Sequence, residues 1–342
     1  MSKTIYYIGA GASYGKRDAN GNVVEGIPVV SEIAKEFASF REYIANAEIL
    51  QGNIPFLNIY ESSSDSVKLE KQRLLSDIDS LIDGIKAHTT IDTYARKLYL
   101  TRNISMFGIL KDVLCTFFVW AQLDRKPDSR YDTFLANILE LETLMLPKDI
   151  SIISWNYDSQ IELAYKSYQP SKSLPVYEKN NQGNWLSLYN CGRIFKVNGS
   201  ATFADMSVVP LIKDYTRTSQ AVQLIMLYDN VKADTTEMGY QLRTHLSFAW
   251  EDSPNVSKMR EDIKATTADT EQMVVIGYSF PFYNRKADRE FIGYMSNLKK
   301  IYVQDKNPHA VMESIQAVLP DGNSIEIVPI SNCDQFYLPK EL

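Results

Sequence analysis

The sequence predicts an α/β fold: a doubly wound, Rossmann-like parallel sheet with a large helical insertion. Short strands that are apolar throughout alternate with helical segments, a pattern typical of a parallel sheet covered by helices on both faces. The first of these strands, Thr4 to Ile8, runs directly into the small-residue loop Gly9-Ala10-Gly11-Ala12-Ser13. A loop of this composition lets an anion such as a diphosphate come close to the backbone N–H groups at the start of a helix.

The length and composition are those of a folded globule. The chain has 342 residues, 45% of them hydrophobic, and a formal net charge of -6. The length suits one large domain with insertions or two smaller domains. The negative charge argues against direct nucleic-acid binding, which needs clustered Lys and Arg. The three cysteines lie far apart and build neither a disulfide framework nor a zinc ribbon, so we expect no metal.

Mainly helical segments follow the first strand. Ser31 is a candidate cap for a helix over residues 32–50, in which apolar residues recur every three or four positions. Further helices are predicted over residues 69–86, 104–123 and 131–145, the last of them ended by Pro147. The segment 104–123 is the most lipid-like, but Lys111 and Asp112 in its middle would be costly in a bilayer. We therefore expect a buried helix and no membrane association.

Strands resume after residue 148. They are predicted at residues 150–154, 194–197, 273–276, 301–303 and 324–330, with a helix over 286–298. This division predicts a Rossmann-like core from residues 1–30, 148–200 and 270–342, a helical insertion at 31–147, and a second insertion, mostly helical or irregular, at 201–269. The N-terminus enters a strand without a signal-peptide pattern, which predicts a cytoplasmic protein.

The loop after the first strand matches neither standard phosphate-binding motif. A G-x-G-x-x-G fingerprint would need glycine at position 14, where the chain has Tyr14. A Walker A loop would need Ser or Thr after Lys16, where Arg17 stands. The alternative interpretation of this loop is therefore a plain strand-to-helix turn.

Small and polar residues follow the predicted strands at the point where each strand ends. They are Gly9 to Ser13; Asn156 and Asp158; Asn198, Gly199 and Ser200; Gly277 and Ser279; and Asp305. Ligands of open parallel sheets bind beyond the carboxyl ends of the strands, near the point where the strand order reverses. The sequence therefore predicts that these five clusters meet at one crevice.

In this order, the clusters resemble the motifs of the sirtuin superfamily. The matching segments are G-A-G-x-S at 9–13, G-I-P at 26–28, Asn-x-Asp at 156–158, an H-G-like position at 198–199 and G-x-S at 277–279. The sequence around Trp155 to Asp158 and Ile276 to Pro281 is more similar to that of bacterial sirtuin-like NAD hydrolases of antiphage defence than to that of protein deacylases. The cysteine count excludes the four-cysteine zinc module of the protein deacylases.

The resemblance implies a role for each matching residue. Ala10, Gly11 and Ser13 would contact the diphosphate of NAD, Gly277 and Ser279 the adenosine half, and Asp305 the adenosine ribose. Gly9, Pro28 and Gly199 complete the implied nucleotide-binding set. Asn156 would position the attacking water and Asp158 would accept from the nicotinamide carboxamide. The alternative for Asn156 and Asp158 is a pair that caps the following helix.

One position departs from the family pattern. The family's catalytic histidine corresponds to Asn198, and an amide cannot take up a proton at neutral pH. Three accounts follow: Asn198 only orients the ribose in a slow hydrolase, His88 supplies an imidazole from another segment, or the protein binds a nucleotide without cleaving it. Asp92 follows His88 in a polar segment that also resembles the family's pocket lining. The alternative for His88 is an exposed histidine at a helix start.

The resemblance implies an NAD hydrolase that releases nicotinamide and ADP-ribose as an effector of antiphage defence. The second hypothesis is a catalytically impaired subunit that binds NAD or another nucleotide and acts with a partner. Regulated assembly is also implied, as a homo-oligomer, with a companion defence protein, or both, because an unrestrained NAD hydrolase would kill its host. A scaffold that binds no nucleotide is disfavoured by the ligand-type residues at the strand ends.

Overall fold

A six-stranded parallel sheet forms the centre of the fold in the computed structural model. The structure describes residues 3–29, 31–88, 90–168, 194–203, 208–232, 244–248, 250–251, 254–340 and 342. Its strands are β1 Thr4–Ile8, β2 Lys16–Arg17, β3 Val23–Glu25, β4 Asn53–Phe56, β5 Tyr60–Ser63, β6 Ile150–Ser154, β7 Ile194–Lys196, β8 Gly199–Phe203, β9 Thr244–Leu246, β10 Gln272–Ile276, β11 Lys300–Gln304 and β12 Glu326–Ile330.

The large sheet has the order β7-β6-β1-β10-β11-β12, with every neighbouring pair parallel. Counted along the chain within this sheet, the order is 3-2-1-4-5-6, which is that of dinucleotide-binding Rossmann folds. Ile8 pairs with Ser154 of β6 on one side and with Ile276 of β10 on the other. The carboxyl ends of these three strands therefore lie side by side. The predicted doubly wound α/β fold is confirmed.

Helices cover both faces of this sheet. The helices of the described residues are α1 Ile33–Ala45, α2 Ser64–Lys86, α3 Ile91–Leu100, α4 Ile104–Leu123, α5 Ser129–Ile138, α6 Gln160–Lys166, α7 Val208–Asp214, α8 Gln220–Lys232, α9 Pro254–Thr267, α10 Arg285–Gly293 and α11 Pro308–Gln316. Successive residues of β1 point to opposite faces: Tyr7 packs with apolar residues of α9, α10 and α11, whereas Tyr6 packs with those of α5 and α6.

The chain forms two compact units. The first contains residues 1–26, 126–199 and 247–342, and the second contains residues 27–125 and 200–246. The predicted helical insertion at 31–147 therefore extends too far in the C-terminal direction: α5 belongs to the first unit, because Phe134 and Leu135 pack on the sheet. Of the predicted second insertion at 201–269, residues 201–246 belong to the second unit and residues 247–269 to the first. Parts of the ranges 148–200 and 201–269 lie outside the described residues.

The second unit is built around α4. Its side chains Phe117, Leu110 and Leu114 are fully buried or nearly so, and α4 packs against α2, α7 and α8. Of the described segments, α4 is the one helix that is long and apolar enough to cross a membrane, by length and composition alone. It carries Lys111 and Asp112, and 56% of its most apolar window is buried inside the structure. It is accounted for as a core helix of its unit.

Candidate functional site

The strand order reverses at β1, whose neighbours are β6 and β10. A cavity of about 470 Å³ lies at the carboxyl ends of β1, β10 and β11, and its volume is within the usual range of small-molecule pockets. All the lining residues that the structure describes belong to the first unit. They are Gly11, Tyr14, Gly15, Lys16, Glu25, Asp128, Ser129, Arg130, Ile276, Gly277, Gln304, Asp305, Lys306, Cys333 and Asp334.

The glycine loop after β1 contacts the loop after β10 backbone to backbone. The Gly11 N–H donates to the Gly277 carbonyl at 2.9 Å, and the Ala12 N–H donates to the Gly9 carbonyl at 2.9 Å. A Cβ atom at Gly11 would lie 2.7 Å from the Gly277 Cα, and one at Gly9 would lie 2.6 Å from the Gly277 carbonyl oxygen. Both glycines are thus required by the contact between the two loops, in addition to any role toward a ligand.

Asn156 holds the glycine loop in place. Its buried side-chain Nδ2 donates to the Gly9 carbonyl and to the Ser13 Oγ, both at 3.0 Å. The Ser13 Oγ also lies 3.0 Å from the Tyr131 hydroxyl. In this conformation Asn156 is a positioning residue for the predicted diphosphate loop, because both of its hydrogen bonds from Nδ2 go to that loop.

Asp158 lies at the start of α6, where its Oδ1 accepts the Gln160 N–H at 2.9 Å. This contact matches the capping alternative for this residue. Burial raises the pKa of Asp158, although the positive charge of Lys196 and hydrogen bonds from Gln160 and Ser13 oppose the shift. Lys196 donates to the Asp158 carbonyl and forms a buried ion pair with Glu162, with Nζ and Oε1 3.0 Å apart.

Asn198 joins the ends of β7 and β6. Its Nδ2 donates to the Trp155 carbonyl at 2.9 Å, and its side chain is buried. Gly199 follows with a φ of 67°, a conformation that favours glycine. The residue at the predicted histidine position therefore lies one strand away from Asn156, and its amide nitrogen is engaged by the backbone.

The predicted adenosine-side residues separate into two groups. Gly277 and Asp305 line the cavity, whereas Ser279 is exposed and is not one of the lining residues that the structure describes. The Gly277 N–H donates to the Gln304 carbonyl at 3.1 Å, and Asp305 Oδ1 accepts the Asn307 N–H at 2.8 Å. Ala10 is half-buried within the 3₁₀ turn Ala10–Ser13.

Three predicted residues belong to the second unit: Pro28, His88 and Asp92. Pro28 is buried. The His88 Nδ1 lies 2.7 Å from the Gly84 carbonyl, and its ring is 5.1 Å from that of Tyr94. Asp92 is in the first turn of α3. His88 is therefore held by local contacts at the end of α2, which accounts for it without a catalytic role.

Two charged residues that sequence reasoning missed, Asp128 and Arg130, line the cavity. They fall at the start of α5, inside the range that the sequence analysis assigned to the helical insertion. The available signal was an acidic helix cap followed two residues later by arginine, but that pattern is common at helix starts. Among the described residues, no group of three or more His, Cys, Asp or Glu side chains could hold a metal ion.

A buried carboxyl group lies beneath the loop after β10. Tyr7 donates to Asp288 Oδ1 at 2.7 Å, and Tyr278 donates to its Oδ2 at 3.1 Å. Burial raises the pKa of Asp288 to about 8, and these two hydrogen bonds oppose the shift without cancelling it. Tyr278 also stacks on Trp155, with ring centroids 4.9 Å apart. Burial therefore favours the protonated form of Asp288, which is held by Tyr7 of β1 and by Tyr278 of the loop after β10.

We expect Asp288→Asn to remove a pH-dependent loss of stability. Between the ordinary carboxyl pKa of about 3.9 and the folded value of about 8, the folded protein holds a proton that the unfolded chain releases. The free energy of unfolding therefore falls as pH rises through this window, by up to about 1.4 kcal/mol per unit from this group. Urea unfolding should show that the free energy of unfolding of the variant rises relative to that of the wild type as the pH increases from 5 to 8. Parallel pH profiles would contradict this, and the exposed D321N controls for loss of one carboxylate.

The chain matches no protein-family model and no curated protein.

Proposed function

We propose that the first unit binds NAD or a closely related nucleotide at the carboxyl ends of β1 and β10 and cleaves the bond between nicotinamide and ribose. The observation that carries this proposal is the meeting of the Gly9–Ser13 loop and Gly277 beside a 470 Å³ cavity, at the reversal point of a 3-2-1-4-5-6 sheet. The sequence resemblance to sirtuin-like NAD hydrolases gives the reaction.

The chemistry suits the residues at the neighbouring strand ends. Cleavage of the N-glycosidic bond passes through an oxocarbenium-like state, which oxygen dipoles stabilise. A positioned water then attacks the ribose carbon and completes the hydrolysis. Asn156, Asp158 and Asn198 supply amide and carboxyl groups after β6 and β7. In the proposed reaction Asn156 fixes the phosphate loop, Asp158 accepts from the nicotinamide carboxamide, and Asn198 orients the ribose. The products are nicotinamide and ADP-ribose.

A second candidate is binding without cleavage, as a subunit that acts with a partner. Asn198 favours it, because the amide cannot take a proton and its nitrogen donates to the Trp155 carbonyl. Loss of a general base commonly costs about 10²–10⁴-fold in rate. The two candidates therefore share the binding site and differ in turnover.

We expect Asn198→His to increase nicotinamide release from NAD by about 100-fold or more, since it restores a group able to accept a ribose proton. The measurement is chromatographic quantification of nicotinamide with purified protein, alongside calorimetric titration with NAD. Asn156→Ala is the matched loss variant: it should abolish release and also weaken NAD binding, because it frees the Gly9–Ser13 loop.

The outcomes separate the candidates. Release by the wild type, raised in N198H and lost in N156A, supports the hydrolase. NAD binding without release by either the wild type or N198H supports the binding subunit. Absence of NAD binding in all three folded proteins would contradict both.

The cellular role follows from the same proposal. A cytoplasmic NAD hydrolase of antiphage defence would deplete NAD on infection and would be restrained until then, by self-assembly or by a companion protein. Nicotinamide release measured across protein concentrations, alone and with a neighbouring gene product, tests that restraint.

A further inference from the structure

Arg130 places a guanidinium group at the wall of the cavity, directly over the glycine loop. Its Nη2 donates to the Gly11 carbonyl at 2.9 Å and to the Ala12 carbonyl at 3.3 Å, and its Nη1 donates to the Cys333 carbonyl at 3.2 Å. The side chain is 16% exposed. An arginine in this position presents a planar fork of donors, which matches the oxygens of a phosphate group.

The carboxylate of Asp128 now occupies this fork. The Arg130 Nε lies 3.0 Å from Asp128 Oδ1 and 3.1 Å from Oδ2, and the Gly15 N–H donates to Oδ2 at 2.7 Å. The Asp128 side chain is only 2% exposed. Its two oxygens accept from the Gly15 N–H and the Arg130 guanidinium, two kinds of donor that anion sites use. Oδ1 also accepts the Arg130 backbone N–H at 3.0 Å and so caps α5.

The charge balance of the cavity depends on this aspartate. The described lining residues include three cationic side chains, Lys16, Arg130 and Lys306, and four carboxylates, Glu25, Asp128, Asp305 and Asp334. Lys16 is paired with Glu25, with Nζ and Oε2 2.9 Å apart, and Arg130 is paired with Asp128. A diphosphate entering this cavity would meet an excess of negative charge while both paired cations stay occupied.

We propose that Arg130 is the diphosphate-binding residue of the crevice and that Asp128 is its internal competitor, which a nucleotide displaces from Arg130 and from the Gly15 N–H. This inference rests on the proposed function, since it names the group that recognises the nucleotide's phosphates. The Asp128 carboxylate lowers the affinity for every phosphate ligand and raises selectivity for those whose remaining contacts compensate for its displacement.

The test is titration calorimetry of wild type, Asp128→Asn and Asp334→Asn with inorganic pyrophosphate, ADP-ribose and NAD. Asparagine caps a helix as well as aspartate does, so D128N should keep α5 intact. D334N removes one negative charge from the same cavity and leaves the Asp128–Arg130 pair in place. We expect D128N to bind pyrophosphate about tenfold more tightly than the wild type, and D334N to change the affinity by less than about threefold. Adding Arg130→Gln to D128N should remove the gain.

Each outcome decides between the claims. Tighter pyrophosphate binding by D128N than by D334N, lost with R130Q, supports the competitor even if no protein binds NAD, and in that case the proposed function is wrong. If the wild type binds NAD but D128N and D334N bind pyrophosphate with equal affinity, the role of Asp128 as competitor is overturned. The proposed function then still stands. No pyrophosphate binding by folded D128N overturns the inference. Arg130→Lys, with folding checked by thermal unfolding, replaces R130Q if that variant does not fold.

Discussion

Gly277→Ala is expected to destabilise the first unit by about 2–5 kcal/mol and to abolish nucleotide binding, because it adds a methyl group between two touching backbones. The new Cβ would lie 2.4 Å from the Gly11 Cα and 2.6 Å from the Ala12 nitrogen. Neither atom belongs to a side chain that can rotate away. The residue also has a φ of 58°, which is unfavourable for alanine. Urea unfolding and NAD titration measure the two effects.

Gly322→Ala is the matched control for the backbone conformation. Gly322 has a φ of 68°, and a Cβ atom there would meet nothing within 4 Å. Its cost should be about 1–2 kcal/mol, since it carries the left-handed penalty alone. Equal destabilisation by the two variants would show that the contact between the loops after β1 and β10 does not contribute to stability.

Lys196→Met is expected to cost about 3–5 kcal/mol, because it leaves Glu162 as a buried charge without its partner. The side chains of Lys196 and Glu162 are 2% and 5% exposed. Glu162 Oε2 has no hydrogen-bond partner among the described residues, so the carboxylate depends on the ammonium group. Lys196 also donates to the Asp158 carbonyl, and its loss should loosen the segment that leads into α6. Chemical denaturation measures the change.

A double variant separates the lost charge pair from lost packing. Lys196→Met with Glu162→Leu should recover most of the stability, since a buried ion pair is often replaceable by apolar residues of similar volume. Lys299→Met is the exposed control: its ion pair with Glu271 has a lysine side chain that is 72% exposed, and little change is expected. A double variant as unstable as K196M would assign the loss to packing.

The sheet was predictable where the sequence alone determines burial. The predicted strands 4–8 and 150–154 and the predicted helix 104–123 coincide with β1, β6 and α4, because a mainly apolar segment bounded by polar or small residues indicates both the type and the extent of an element. The helix predicted over 131–145 ends at Ile138. Leu139 is already extended, a change for which the apolar spacing gives no signal. The hairpin of β4 and β5 was also missed, because polar Tyr60–Ser63 lacks a strand pattern.

The chemistry of the crevice was less predictable, because it depends on pairs far apart in the chain. Asn156 was singled out as polar after a strand, but nothing local indicates that its amide donates to Gly9 and Ser13. Arg130 was missed for the same reason: its contacts with Gly11 and Cys333 exist only once the sheet and α5 are assembled. Residue types at strand ends predicted loops that border the cavity, and the fold determined what each side chain contacts.

The position of β1 has a consequence for how the chain acquires its structure. Thr4 pairs with Ile150 on one side and with Gln272 on the other. β1 is therefore synthesised before both of the strands that it pairs with, β6 and β10. Closing such long loops is entropically slow, and an apolar central strand stays open to wrong pairing meanwhile. We expect refolding from urea to be slow and concentration-sensitive, with aggregation competing, and nascent chains that end before residue 272 to be substrates for chaperones.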